Sequence, residues 1–330
     1  MTGRERIRRA VTFAEPDRTP FTLPAPWGSD VRGVGFDPDP NWSPTEPGID
    51  EWGSVWQTLD KASMGEVKRP AIGDWSELDS VKWPKFVTPE RTQTARAAAK
   101  KDDPRFLMTS LPQYLWERVN RMRGIEDALA DLCAYTNETA NLLGAIVEQN
   151  LEVIDFMGEI GVDGIISCED WGLQDRLMIN PSTWRSLFKE RYAALFGRAQ
   201  DHGMLVFMHS CGHIVEILDD LIEVGLDVIQ LDQQENMGLE LLSERFGGRI
   251  AFWCPVDIQT VMVYGTIDDV RDYARKLMWN FGRYGGGFIG HWYASPKAVQ
   301  HDMAKVDAMC EVFAKEGDFP LAEQITEMAV

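Results

Sequence analysis

The strongest chemical signal in the chain is His209-Ser210-Cys211. In an extended segment, side chains at i and i+2 point the same way, so an imidazole and a thiolate converge on one point. That is half of a site for a tetrahedral, borderline-soft ion such as zinc. Cys254 and His291 are the candidates for the third ligand, with Glu169, Asp232 and Asp257 as possible oxygen donors. The competing reading is structural: His209 hydrogen-bonds a carboxylate, and Cys211 packs as a small apolar residue. Glu169-Asp170 suits an acid/base pair or metal carboxylates, and equally a cap on the following segment or a receptor for loop amides. Asp232 is placed to orient His209 or substrate. Trp171, Gln174, Trp253, Trp292 and Tyr293 are the expected lining of a substrate pocket, with core packing as the alternative for the aromatic residues. His202, His213 and His301 read as surface residues, and Cys133 and Cys310 as packing residues within helices.

These residues share one kind of position. Short apolar runs at 162–167, 204–208, 226–231, 249–253 and 286–290 alternate with helical patterns at 124–160, 181–201, 214–224, 238–246 and 268–281. Apolar runs without polar alternation are expected of parallel strands buried on both faces. The polar residues stand where these strands end: Cys168-Glu169-Asp170 after the fourth, His209-Ser210-Cys211-Gly212 after the fifth and Asp232 after the sixth. Cys254 follows the seventh and His291 the eighth. Earlier strand candidates are 19–23, 52–58 and 105–110, which brings the count to a barrel's eight. No G-x-G-x-x-G follows a strand as a dinucleotide-binding sheet requires. The fold expected is a single (β/α)8 TIM barrel whose site lies at the carboxyl ends of the strands. Residues 1–90 hold an N-terminal helix (2–13), the first strands and a Pro/Trp-rich excursion (24–89) over one end. Residues 91–318 form the regular barrel, and 319–330 a tail.

The 330 residues, 44% of them hydrophobic, suffice for one large core. A net charge of −19, with no basic block, excludes a phosphate-backbone partner and so nucleic acid. Five widely spaced cysteines do not form a secreted disulfide framework. Residues 1–14 are charged, with no apolar run of signal-peptide length, and no later run approaches a membrane span. A cytoplasmic protein without membrane contact is expected.

The pattern around these residues resembles the uroporphyrinogen decarboxylase superfamily over nearly the whole chain. The resemblance is carried by Arg4-Glu5-Arg6, Glu15-Pro16-Asp17-Arg18-Thr19-Pro20, residues 177–181 and His209-Ser210-Cys211-Gly212. Gly225-Leu226-Asp227-Val228, Phe246-Gly247-Gly248-Arg249, Phe252-Trp253, Asp257-Ile258-Gln259 and Gly285-Gly286-Gly287-Phe288 extend it. It implies a barrel, often a homodimer. The superfamily also holds cobalamin-dependent methyltransferases, and the H-x-C pair looks like that of their zinc-dependent branch, where a cysteine at the last strand's end completes the ligands. Here His291 stands at about that position, where the decarboxylases carry histidine, so His291 or Cys254 would be the substitute. The arginine-bearing N-terminal segment of the decarboxylases is replaced by Pro24-Ala25-Pro26-Trp27-Gly28-Ser29-Asp30, so porphyrinogen decarboxylation is not carried over. The resemblance thus implies zinc-dependent methyl transfer between a small methylated substrate (a methoxylated aromatic, thiol or amine) and a corrinoid, cobalamin, on a separate partner protein. Glu169 and Asp170 would manage protons or add a ligand. The rival readings are a metal-independent decarboxylase or lyase using His291 and a carboxylate, and a non-catalytic barrel that binds a small ligand at a tryptophan-lined mouth.

Overall fold

The structure, a computed structural model, describes residues 1–57 and 65–321. Eight parallel strands form one sheet: β1 (Phe21–Thr22), β2 (Val31–Val34), β3 (Phe106–Ser110), β4 (Gly164–Cys168), β5 (Leu205–His209), β6 (Val228–Gln230), β7 (Ala251–Cys254) and β8 (Phe288–His291). Their order is β1-β8-β7-β6-β5-β4-β3-β2, a nearly closed (β/α) barrel. Helices flank it: α1 (Gly3–Val11), α2 (Gln93–Ala99), α3 (Leu115–Arg123), α4 (Ile125–Ala134), α5 (Asn137–Glu159), α6 (Glu190–Asp201), α7 (Val215–Glu223), α8 (Leu239–Phe246), α9 (Ile267–Gly282) and α10 (Met303–Lys315). No described helix is long and apolar enough to cross a membrane.

Strands three to eight stand where the apolar runs place them, but the second does not. The candidate at 52–58 contributes only Val55–Gln57, which pairs antiparallel with Glu66–Arg69 in a separate hairpin; residue 58 lies outside the described residues. The second barrel strand is β2, inside the stretch expected to be excursion. No crossover helix joins β1 to β2. The chain turns at residues 24–28, returns beside β1 through the Thr22–Ser29 bridge and the Asp30 N–H bond to Phe21 O (2.9 Å), then rises as β2. Four residues, one a glycine and one an arginine, leave no pattern to read there.

The helical stretch 124–160 divides because Tyr135 adopts a left-handed conformation (φ 44°) and Thr136 caps α5 through the Thr139 N–H. A short helix and a π turn (Arg185–Lys189) precede α6. Two other expectations are corrected. Cys133 is exposed on α4, and His301 is buried with Nε2 3.0 Å from the Ile258 carbonyl. Cys310 is packed in the core as expected.

Strand parity decides what faces the lumen. Phe106, Phe207, Val228, Ala251, Trp253 and Ile289 pack there with Ile7 and Val11 of α1, which closes the floor. Gly287 N–H donates to Ala10 O (2.7 Å), and a Cβ on Gly286 (φ 146°) would come within 2.6 Å of that oxygen, so the contact requires glycine. Arg6 secures α1 by ion pairs to Asp17 and to Asp30. Two residues above the lumen layer, on the same face, stand Cys168, His209, Gln230 and His291. The barrel mouth is therefore polar where its floor is apolar.

Candidate active site

β5 ends on His209, which shares the lumen face with Phe207, and Cys211 returns to that side after buried Ser210. Cys211 Sγ lies 3.4 Å from His209 Nε2. Asp170, two residues beyond β4, completes the group. Its Oδ1 is 3.3 Å from His209 Nε2 and accepts the Cys211 N–H at 3.0 Å. Among the described residues, Asp170, His209 and Cys211 form a cluster of oxygen, nitrogen and sulfur donors that lie within 4.8 Å of one another.

The imidazole is oriented from behind. Asp232 Oδ1 accepts the Gln230 side-chain N–H at 2.8 Å, and a carboxylate can only accept, so the amide's Oε1 turns toward Nδ1 of His209 and bonds it. Nδ1 therefore carries a proton, and Nε2 faces Cys211 and Asp170. Burial works against charge on His209, but Asp170 and Cys211 outweigh it and hold its pKa well above 6.5. Burial pushes the Asp170 carboxyl up, and the contact with His209 more than reverses it. Burial raises the Cys211 thiol against the pull of His209.

On β8, His291 stands apart from that cluster. The Thr22 hydroxyl takes the Trp253 indole N–H at 2.9 Å and lies 2.7 Å from His291 Nδ1, while the Trp253 and His291 ring centroids are 4.7 Å apart. Burial lowers the His291 pKa to about 4, so it is a neutral imidazole at pH 7. Burial, together with the charge of Asp232, raises the pKa of the Tyr293 hydroxyl. One nitrogen, one thiol and one carboxylate with an oriented Nε2 fit a zinc-like ion, and the sulfur disfavours magnesium or calcium.

The profile of the family described as "Uroporphyrinogen decarboxylase (URO-D)" matches residues 109–313, from β3 to α10. The chain belongs to the uroporphyrinogen decarboxylase family. No curated protein matches it. Among solved structures, a methyltransferase from Methanosarcina mazei is similar over 95% of this chain and 98% of its own, with TM-score 0.70 and 14% identity, which shows a shared fold. A D-psicose 3-epimerase (12% identity, TM-score 0.41, 72% of this chain and 84% of that one) and a chitinase from Chromobacterium violaceum (11%, TM-score 0.37, 64% and 80%) are more remote.

Several expected site residues of this family member have other duties. Glu169 is fully buried, and its carboxylate takes the N–H groups of Leu115 (2.6 Å), Trp116 (2.9 Å) and Glu117 (3.3 Å) and the Ser167 hydroxyl (3.1 Å). It caps α3. Burial pushes its pKa up to about 8, and the amides pull the other way; four donors on two oxygens suit the ionised form. Cys254 does not join that cluster. Trp253 occupies the lumen face, so Cys254 points outward into the helix-packed core, fully buried, and Asp170 supplies the third donor of the cluster instead. Trp171 is core, stacked on Trp116 at 5.5 Å with its N–H on the Tyr192 hydroxyl. Gln174 is exposed and clasps loops at the rim through Asn236 (2.8 Å) and Gln259 (3.1 Å). Trp292 is half-buried against the core. Trp253 and Tyr293 stay at the mouth. Gln230 and Thr22 were not singled out from sequence, because an amide and a hydroxyl carry no chemical signature until their partners are seen.

Proposed function

We propose that the barrel mouth is a zinc site held by Asp170, His209 and Cys211, and that its reaction is methyl transfer between a small methylated substrate and a corrinoid carried by a separate protein. The observation that supports this reading is the convergence of three different donor types on one point with the imidazole's outer nitrogen already tied. Bound there, zinc would be a Lewis acid that lowers the pKa of a thiol or polarises a methoxy oxygen. The chain's own residues do the rest. Gln230 and Asp232 hold the imidazole in one orientation, Tyr293 and Trp253 wall the mouth, and neutral His291 offers a hydrogen-bonding ring to substrate.

A second reading has its own support, and the family match speaks for it more directly than any comparison speaks for methyl transfer: a metal-independent decarboxylase or lyase in which a histidine and a carboxylate act as acid and base. The His209–Asp170 ion pair and the neutral His291 are the groups for it.

Zinc content separates the two. Protein purified without a metal-affinity tag is expected to hold about one zinc per chain, lost in Asp170→Ala, His209→Ala and Cys211→Ala and kept in Cys254→Ala. Methyl donors would then be screened with a corrinoid protein. No zinc in the folded parent, even after zinc is added back, overturns the metal reading and directs the assay to release of carbon dioxide.

A further inference from the structure

We propose that Thr22 is a positioning residue that fixes the proton of neutral His291 on Nε2, so that the barrel mouth holds a permanent N–H donor and selects substrates that bring an acceptor oxygen to it, as a carboxylate or an ether does. The inference rests on the mouth as the reaction site, as above, and holds for either chemistry.

β1 supplies Thr22 because it runs parallel to β8 with Thr22 opposite His291. Two nitrogens approach the Thr22 hydroxyl. Trp253 Nε1 is 2.9 Å away, and an indole nitrogen can only donate, so it takes one lone pair of Oγ1. His291 Nδ1 is 2.7 Å away, and among the described residues it is the acceptor left for the hydroxyl's single proton. Were Nδ1 protonated, Oγ1 would accept twice and its own proton would lack a partner in a half-buried place, which costs free energy. The Thr22 carbonyl lies near the ring but makes no hydrogen bond of ordinary length and angle with it. Nδ1 therefore carries the lone pair and Nε2 the N–H.

Trp253 is held in place. It is 7% exposed and set edge-on to Phe207, with ring centroids 5.9 Å apart and planes at 83°, and its ring lies 4.7 Å from that of His291. His291 is half-buried on the lumen face, and its Nε2 has no hydrogen-bond partner among the described residues. Burial keeps the ring neutral, so it has one proton for two nitrogens, and Thr22 decides between them. The two imidazoles of the mouth are thus set in opposite senses: His209 by an amide oxygen that holds a proton on Nδ1, His291 by a hydroxyl that holds one on Nε2. A fixed donor discriminates by chemistry. A carboxylate or ether oxygen accepts from it, a thioether accepts weakly, and a protonated amine has only N–H groups to set against it. Among methylated substrates an oxygen compound fits and an ammonium does not, and among the acids of a decarboxylase the carboxylate fits.

The test is long-range ¹H–¹⁵N correlation spectroscopy of the five histidine rings in the ¹⁵N-labelled full chain at pH 7, before and after metal chelation. The His291 signals are those missing from His291→Gln. In the parent they should show the Nε2–H tautomer with Nδ1 unprotonated. Thr22→Val, which keeps the shape and removes the hydroxyl, should divide the proton between the two nitrogens, and Thr22→Ser should restore the parental pattern. Acetate, as an acceptor probe, should shift the Nε2–H resonance saturably and methylammonium should not, and Thr22→Val should bind acetate about tenfold more weakly. An Nδ1–H tautomer in the parent, a tautomer unchanged in Thr22→Val, no acetate-induced shift, or a methylammonium shift equal to that of acetate overturns the proposal. So does loss of the Nε2 proton when zinc is added, since His291 would then be a ligand. Should Thr22→Val fail to fold by circular dichroism, Trp253→Phe, which frees the hydroxyl's lone pair, decides by the same spectrum: a divided proton supports the proposal and an unchanged one overturns it. A chain that holds no zinc leaves these spectra intact, so the failure of one reading is not that of the other.

Discussion

Replacing Glu169 by alanine should unseat a helix rather than stop a reaction. The carboxylate is fully buried and accepts three N-terminal amides of α3 and the Ser167 hydroxyl at 2.6–3.3 Å. Loss of an N-cap costs about 1–2 kcal/mol, and each buried donor left without a partner adds about 1–3 kcal/mol. Water entering the vacated volume recovers part of this, so the net loss is about 3–5 kcal/mol. An unfolding entropy of roughly 2.1 cal/mol/K per residue over the 330-residue chain gives about 0.7 kcal/mol per degree, hence a fall in melting temperature of about 4–7 °C. Differential scanning calorimetry of the parent, Glu169→Ala and Glu169→Gln reads this directly. The glutamine variant should lose about half as much, because it keeps one acceptor oxygen and turns an N–H₂ toward an N–H. Zinc content should be unchanged in both. A Glu169→Ala protein that melts within about 1 °C of the parent yet loses metal or activity would refute the capping argument and return the residue to the chemistry.

Gln230→Met removes the link between Asp232 and His209 while keeping side-chain length. Zinc affinity, measured by competition with a chromophoric chelator, should fall about 10–100-fold with the fold intact. Cys254→Ala should leave zinc content at the parental value and cost about 1 kcal/mol in urea unfolding, the loss of one small buried group. The Arg6 guanidinium beside Asp17, together with the chain's N-terminal amine, holds that carboxyl well below the usual range. A folded pKa below the unfolded one means a stabilisation fully present above about pH 4 and lost as the pH falls through the folded value. Asp17→Asn should therefore flatten the acid limb of a pH series of urea melts without changing stability's trend near neutrality.

How far the sequence reached follows from the range of each interaction. β3 to β8 were legible because a strand buried on both faces needs an unbroken apolar run, and the H-x-C pair because i and i+2 share a face. Both are local. Glu169 left proton chemistry and an amide-binding role equally open because its partners, Leu115 to Glu117, lie more than fifty residues earlier, and nothing near Glu169 announces which helix end it meets. Cys254 lies off the cluster by one step of parity: its neighbour Trp253 holds the lumen face, and a shift of one residue exchanges core for mouth. Trp171 shows the limit of composition, since a tryptophan beside acidic residues can serve a pocket or a core, and only its contacts with Trp116 and Phe188 decide.

The floor of the barrel has a kinetic meaning. α1 precedes every strand in the chain, yet Ile7 and Val11 pack with residues of β3, β5, β6, β7 and β8, and Ala10 accepts a bond from Gly287. Its anchorage thus joins positions separated by nearly the full described length, contacts whose loop-closure entropy is paid late. A chain emerging from the ribosome would carry α1 as a loose amphipathic segment until β8 is made, exposed to chaperones and proteases, and circular permutants that place α1 directly after β8 should refold faster than the natural order.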